Sequence, residues 1–178
     1  MADLRGKRVA MVIAFERFRD EELLAPKSLL ERHGAQVDVV SSRQGIATGK
    51  LGAKVTVDRT LTEVHARDYD ALAFVGGPGC REYFDSAAAH ELAREAIEEG
   101  RVLAAICSAG AILARAGVLS GLSATCYPTE AEILKEAGAL YTGQPVERSR
   151  RGDSPVITAN GPQSATLFGS AISDALAN

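Results

Sequence analysis

The sequence is short of the residues that build metal centres and disulfide frameworks. It has three cysteines, Cys80, Cys107 and Cys126, an odd number at wide spacings. No CxxC pair occurs, so neither a disulfide scaffold nor a zinc knuckle is indicated. The three histidines, His33, His65 and His90, are equally scattered, and none follows His90. No structural metal is expected. Charge of one sign is also missing. The net charge of -3 over 178 residues gives no electrostatic reason to bind nucleic acid or an anionic membrane. The longest apolar runs, such as "YDALAFVGG", are far too short to cross a bilayer. The opening "MADLRGKRVAMVIAF" starts basic and turns apolar as a signal peptide does. No small-residue cleavage site follows it, however, and charges return at Glu16. A first strand of a cytoplasmic protein is the expectation. Neither GxGxxG nor GxxxxGK[ST] is present, so a nucleotide site has no support. No repeat, linker or low-complexity tract interrupts the chain.

What is there alternates. Hydrophobic residues make up 46% and charged residues 24%, ordinary for a globular protein, and the length fits one domain over residues 1–178. "RVAMVIA" (8–14) reads as a strand. "DEELLAPKSLLERHG" (20–34) reads as a helix with acids first, bases last and a closing glycine. Pro26 inside it predicts a kink or an early turn. "AQVDVVSS" (35–42) is a strand, and "AKVTVD" within a Gly- and Thr-rich stretch suggests small strands or a hairpin. "YDALAFVGGPG" (69–79) is a buried strand with a glycine turn, followed by a helix over 82–100. "RVLAAIC" (101–107) is a second buried strand, with a helix over 108–119. A short strand, a turn at Pro128 and a helix fill 123–139. A hairpin turns at Arg151-Gly152-Asp153, and a last helix covers 162–178. Strands apolar on both faces, alternating with helices, predict an α/β fold: a mostly parallel sheet covered on both sides.

In such sheets sites form at the carboxyl ends of strands. Cys107 falls at one, where a strand turns sharply into a helix. Ala105, Ser108, Ala109 and Gly110 are small enough for a close-packed nucleophile elbow. The helix N-terminus behind the thiol is expected to favour thiolate. An inert thiol closing a core strand fits the same spacing. Gly76-Gly77-Pro78-Gly79 falls at a second strand end, where glycines can present N–H groups to an anion or carbonyl oxygen. A plain tight turn is the alternative. Cys80 follows directly, on the same rim, as a packing thiol. Asp20-Glu21-Glu22 reads first as a solvated helix start. A carboxyl group beside a thiol could instead stay protonated and shuttle a proton.

Taken together, "FRDEELLAPKSLLERHG", "YDALAFVGGPG", "AAICSAGAILARAGVLSG", "TCYP" and "ITANGPQSATLFGSAISDAL" resemble the ThiJ/PfpI superfamily, in family order and over nearly the whole chain. The resemblance implies a flavodoxin-like sandwich and a homodimer built partly from the first helix. It implies that Cys107 is the reactive cysteine and Glu22 the carboxylate that hydrogen-bonds it. Gly76, Gly77 and Ser108 would be backbone donors of an oxyanion pocket. Tyr127 would line the pocket beside Cys80 and Cys126, and Arg32 matches a basic position near the dimer interface, counted with the pocket residues.

One departure bears on activity. Protease-like and many glyoxalase-like members carry His directly after the cysteine, and here that residue is Ser108. A Cys–His–acid triad is therefore doubtful. The pattern is closer to the deglycase-type branch. That implies a stress-related, cofactor-free enzyme acting on small reactive carbonyls through Cys107 and Glu22. A redox-sensing or chaperone-like protein would use the same oxidisable cysteine. An intracellular peptidase or amidase is a weaker inheritance.

Overall fold

Every residue of two successive strands, Ala71–Phe74 and Val102–Ile106, is buried, as strands covered on both faces must be. The computed structural model describes all 178 residues. It runs β1 (Arg8–Val12), β2 (Glu16–Phe18), α1 (Asp20–Arg32), β3 (Gln36–Ser41), β4 (Ile46–Gly49), β5 (Lys54–Thr56), β6 (Arg59–Thr60), β7 (Ala71–Phe74), α2 (Ala87–Glu98), β8 (Val102–Ile106), α3 (Gly110–Arg115), β9 (Ser123–Ala124), α4 (Ala131–Glu136), β10 (Leu140–Tyr141), β11 (Val146–Arg151), β12 (Ser154–Ala159) and α5 (Ala165–Ala177). Seven strands form one sheet in the order β11-β12-β8-β7-β1-β3-β6. All its pairs are parallel except β11 with β12. This is the expected α/β sandwich with a mostly parallel sheet. No helix is long and apolar enough to cross a membrane.

Alternate residues serve opposite faces. Val12, Leu72, Phe74, Leu103 and Ala105 pack with Leu92 of α2 and Ile112 of α3. Met11, Ala71, Ala73, Ala104 and Ile106 pack with Leu23 and Leu30 of α1 and Phe168 and Ile172 of α5. The register of β1, β7 and β8 sets Val12 and Phe74, the last residues of their strands, beside Ala105, one residue before the end of β8. The loops that leave those ends therefore meet above the sheet. Edge strand β11 carries Arg148, Arg150 and Arg151, charges that discourage edge-to-edge pairing.

Several expectations are corrected. Helix α1 runs unbroken through Pro26, which is buried against α5. A Cβ on Gly169 would come within 2.9 Å of Pro26 Cα, so the missing side chain lets the two helices meet there. Helix α2 begins at Ala87 rather than 82, because Ser86 caps it by accepting from Ala89 N–H. Residues Pro78–Tyr83 form a 3-10 helix instead. Helix α3 is only six residues, preceded by a single 3-10 turn at Cys107–Ala109 and followed by Gly117 at φ 83. Strands β4 and β5 form the expected hairpin, and the β11–β12 turn falls at Gly152-Asp153. Strands β2 and β10 had no counterpart in the sequence pattern. Each is two or three residues long, too short for a period to register.

Candidate active site

Cys107 is the first residue after β8, and its φ of 62 is a left-handed conformation that non-glycine residues seldom adopt. Two anchors hold the turn. Tyr127 N–H donates to Cys107 C=O at 3.2 Å, and Gly110 N–H closes the first helical turn onto the same carbonyl. The turn also needs small neighbours. A Cβ on Gly110 would sit 2.8 Å from Cys126 Cβ. The elbow is sharp, as expected, but the thiol does not stand exposed above the sheet: Cys107 is 6% accessible.

The three acids that open α1 divide their tasks. The buried Asp20 carboxylate accepts from Leu51 N–H and Ala53 N–H, both at 2.8 Å, and so pins the β4–β5 hairpin to the helix. Glu21 pairs with Arg19 at 2.9 Å. Glu22 points inward and is 0% exposed. A solvated helix start therefore describes Glu21 but neither of its neighbours. The loop before α1 lies against the Gly76–Gly79 loop, where Arg19 N–H donates to Gly76 C=O at 2.9 Å. Gly77, at φ 108, could carry no side chain there without striking the backbone of Arg17, Phe18 and Arg19. These glycines let two loops from distant parts of the sequence touch, and that contact brings Glu22 to Cys107.

Gly76 lies between the two groups. A Cβ placed on it would be 2.7 Å from both Cys107 Cβ and Glu22 Oε1. Neither Glu22 oxygen makes a hydrogen bond of ordinary geometry. Their polar neighbours are the Cys107 thiol and Gly76 N–H. Burial pushes the Glu22 carboxyl up to about 7, against the pull of the thiol and of the Arg19 charge. Cys107 is pushed up to about 12, first by burial and then by the charge of Glu22, with the Ser108 N–H opposing. The expected lowering by a helix dipole is thus reversed. Helix α3 starts three residues after Cys107 and is short, while the thiol is desolvated beside a carboxylate. The resting pair near neutral pH is a thiol beside an acid poised to gain or lose its proton.

Cys80 and Cys126 are fully buried in the layer that holds α2 and α3. Burial raises both thiols, Cys126 to about 12, and Cys126 Sγ donates to Tyr127 C=O at 3.2 Å. Tyr127 itself is 42% exposed, next to the elbow it anchors. Arg32 does not belong to the pocket. It is the last residue of α1, ten positions from Glu22 and so about 15 Å along the axis, and it is exposed. No histidine approaches. His33 pairs with Ser173 Oγ at 2.7 Å, His90 with Phe84 C=O at 2.7 Å and His65 with Glu95 at 3.6 Å. No cluster of three or more His, Cys, Asp or Glu is placed to hold a metal ion.

Sequence reasoning missed Glu130. Its side chain is 2% exposed and receives Ser108 Oγ–H at 3.0 Å, Thr129 Oγ1–H at 2.6 Å and the Arg81 guanidinium at 3.4 Å. In "YPTEAEIL" it looks like an ordinary acid at a helix start, and only the fold turns it toward Ser108.

With this geometry in place, comparison with known proteins is informative. A family model described as the DJ-1/PfpI family matches residues 7–175, and the chain belongs to that family. It is 43% identical to the protein MJ0967 of Methanocaldococcus jannaschii, over 94% of this chain and 81% of the other. It is 37% identical to the Pyrococcus furiosus protein named deglycase PfpI, over 76% of this chain and 82% of the other. Among solved structures, a ThiJ/PfpI domain protein from Brachyspira murdochii superposes with a TM-score of 0.90 at 31% identity. That match covers 96% of this chain and 98% of the other.

Proposed function

We propose that this DJ-1/PfpI-family chain is a cysteine-dependent, stress-related enzyme of the glyoxalase or deglycase type, acting on small reactive carbonyls. The observation that carries it is the fully buried Glu22 carboxyl set against the Cys107 thiol across Gly76. In this mechanism the Glu22 carboxylate takes the thiol proton as Sγ adds to the aldehyde carbon, giving a hemithioacetal. The backbone N–H groups of Ser108 and Gly77 are the donors assigned to the oxygen that gains charge. For a 2-oxoaldehyde, hydrogen moves from the first carbon to the second, giving a thioester. Water then cleaves it, releasing the hydroxy acid and restoring the thiol. No cofactor enters this sequence. Further support comes from the archaeal relatives named deglycase. A peptidase reading has less, because Ser108 stands where a triad needs His and all three histidines are engaged elsewhere. The same proposal takes the working form as a cytoplasmic homodimer using α1, whose Leu24 is an exposed apolar side chain. The test is lactate formation from methylglyoxal without glutathione. Turnover should vanish in Cys107→Ala, and equal turnover in both proteins would end the proposal.

A redox-sensing role has one specific observation in its favour. Ser108 N–H and a protonated Glu22 are donors that could hold an oxidised Cys107 sulfur. Mass spectrometry after graded peroxide decides it. Cys107 should oxidise before Cys80 and Cys126, and equal reactivity of the three would exclude it.

A further inference from the structure

We propose that Glu130 is a positioning residue of the Cys107 site. It holds the hydroxyl proton of Ser108, which leaves the Ser108 backbone N–H as the donor to the sulfur. The proposal rests on Cys107 being the reactive group, as above, and concerns how its reactivity is set.

A serine hydroxyl has one proton to give. That of Ser108 is given to Glu130 Oε2 at 3.0 Å. The sulfur of the preceding residue is a second neighbour of the same hydroxyl, but no hydrogen bond joins them. Donation to the sulfur would stabilise thiolate, because a hydrogen bond to the charged form favours that form. Donation to Glu130 withdraws that help. The carboxylate has reason to hold on. It is nearly sealed from water, and its remaining partners are Thr129 Oγ1 and a guanidinium that stands 70% exposed. A buried carboxylate deprived of a donor is costly. The competition is therefore biased toward Glu130, and the thiol rests less acidic than its neighbour could make it. Nothing in the proposed carbonyl chemistry accounts for a second buried carboxylate hydrogen-bonded to the residue that follows the nucleophile.

The experiment measures alkylation of Cys107 by iodoacetamide at fixed pH, followed at that residue by mass spectrometry, in the full-length protein. Glu130→Ala frees the hydroxyl, and alkylation should accelerate about threefold to tenfold, a gain in thiolate partly offset by lower intrinsic nucleophilicity. Glu130→Gln preserves the buried volume but is a weaker acceptor. It should move the rate in the same direction by a smaller step, and it decides the matter if the alanine variant does not fold. The Ser108→Ala background separates hydroxyl from charge, because there Glu130→Ala should no longer accelerate the reaction. No acceleration in either Glu130 variant overturns the proposal. So does equal acceleration with and without the Ser108 hydroxyl, which would mean that Glu130 acts through its charge. Failure of the carbonyl-enzyme proposal would appear elsewhere, as methylglyoxal turnover that survives Cys107→Ala.

Discussion

Glu22→Gln removes a buried acid while keeping its shape, and its effect on stability should depend on pH in a way that can be worked out beforehand. Folding raises the carboxyl from 4.5 to about 7, with burial the largest cause. A folded-state pKa above the unfolded value means that the native protein holds a proton the unfolded chain releases. The resulting stability is fully present below pH 4.5 and is lost as pH climbs toward about 7. The slope over that window is about 1.4 kcal/mol per pH unit, so the total is about 3 kcal/mol. Glutamine cannot titrate. Its stability relative to the wild type should therefore rise by about 3 kcal/mol between pH 4.5 and pH 8, then level off. For a chain of this size that is a change of about 6–12 °C in the Tm difference. Paired urea or thermal unfolding curves at half-unit pH steps make the measurement. Any constant offset from the amide's own hydrogen bonding drops out, because only the change with pH is read. The rise should persist in a Cys107→Ser background, since desolvation and not the thiol is the main cause. Curves for the two proteins that stay parallel from pH 4.5 to 8 would refute the reasoning. A glutamine variant that loses ground at high pH would show that Arg19 holds Glu22 ionised throughout.

Two further outcomes follow from the same geometry. If Glu22 accepts the thiol proton, kcat/KM for methylglyoxal should climb with pH to a plateau above about pH 7, and a profile flat from pH 5 to 9 would remove Glu22 from the chemistry. Gly76→Ala should cost about 1–3 kcal/mol in unfolding free energy, because the new Cβ meets Cys107 Cβ and Glu22 Oε1 at 2.7 Å and Ile106 C=O at 2.8 Å. By pushing acid and thiol apart it should also lower kcat/KM about a hundredfold, and near-normal turnover in a folded variant would show that the close approach is dispensable.

Long-range order was legible where it was carried by repetition. β7 and β8 are apolar at every position, and with their short length and flanking glycines that pattern reads as strands buried on both faces. The β11–β12 hairpin was marked by its Gly-Asp turn. Helix limits were less readable, because the cues that set them are local and weak. "PGCREYFDS" carries nothing that forbids helix, yet the chain postpones α2 until Ser86 caps it. Pro26 looked like a break, yet α1 runs through it, and the missing side chain of Gly169 on α5 lets the two helices close together at that point. That glycine lies 143 positions away in the sequence.

The candidate site divides along the same line. Cys107 stood out from the residues as a cysteine at a strand end, whereas Glu22, Gly76 and Gly77 were singled out by the family resemblance and Glu130 by neither. The electrostatics of the site were not legible in the residues. A dipole argument made locally at Cys107 gives a lowered thiol, and it fails because burial dominates and the charge of Glu22, 85 residues earlier, adds to it. Glu22 is carried there by the contact between Arg19 and Gly76. The consequence for mechanism is specific. A thiol raised to about 12 beside a carboxyl near 7 cannot rely on a standing thiolate. In the proposed carbonyl chemistry it would lose its proton to Glu22 as the carbon–sulfur bond forms. Reactivity toward electrophiles that require a preformed thiolate is then held low. A carbonyl whose developing oxyanion is met by backbone N–H groups receives stabilisation in the same step. On that proposal, burial of the pair would work as a selectivity device, withholding the nucleophile until a substrate fits well enough to draw the proton across.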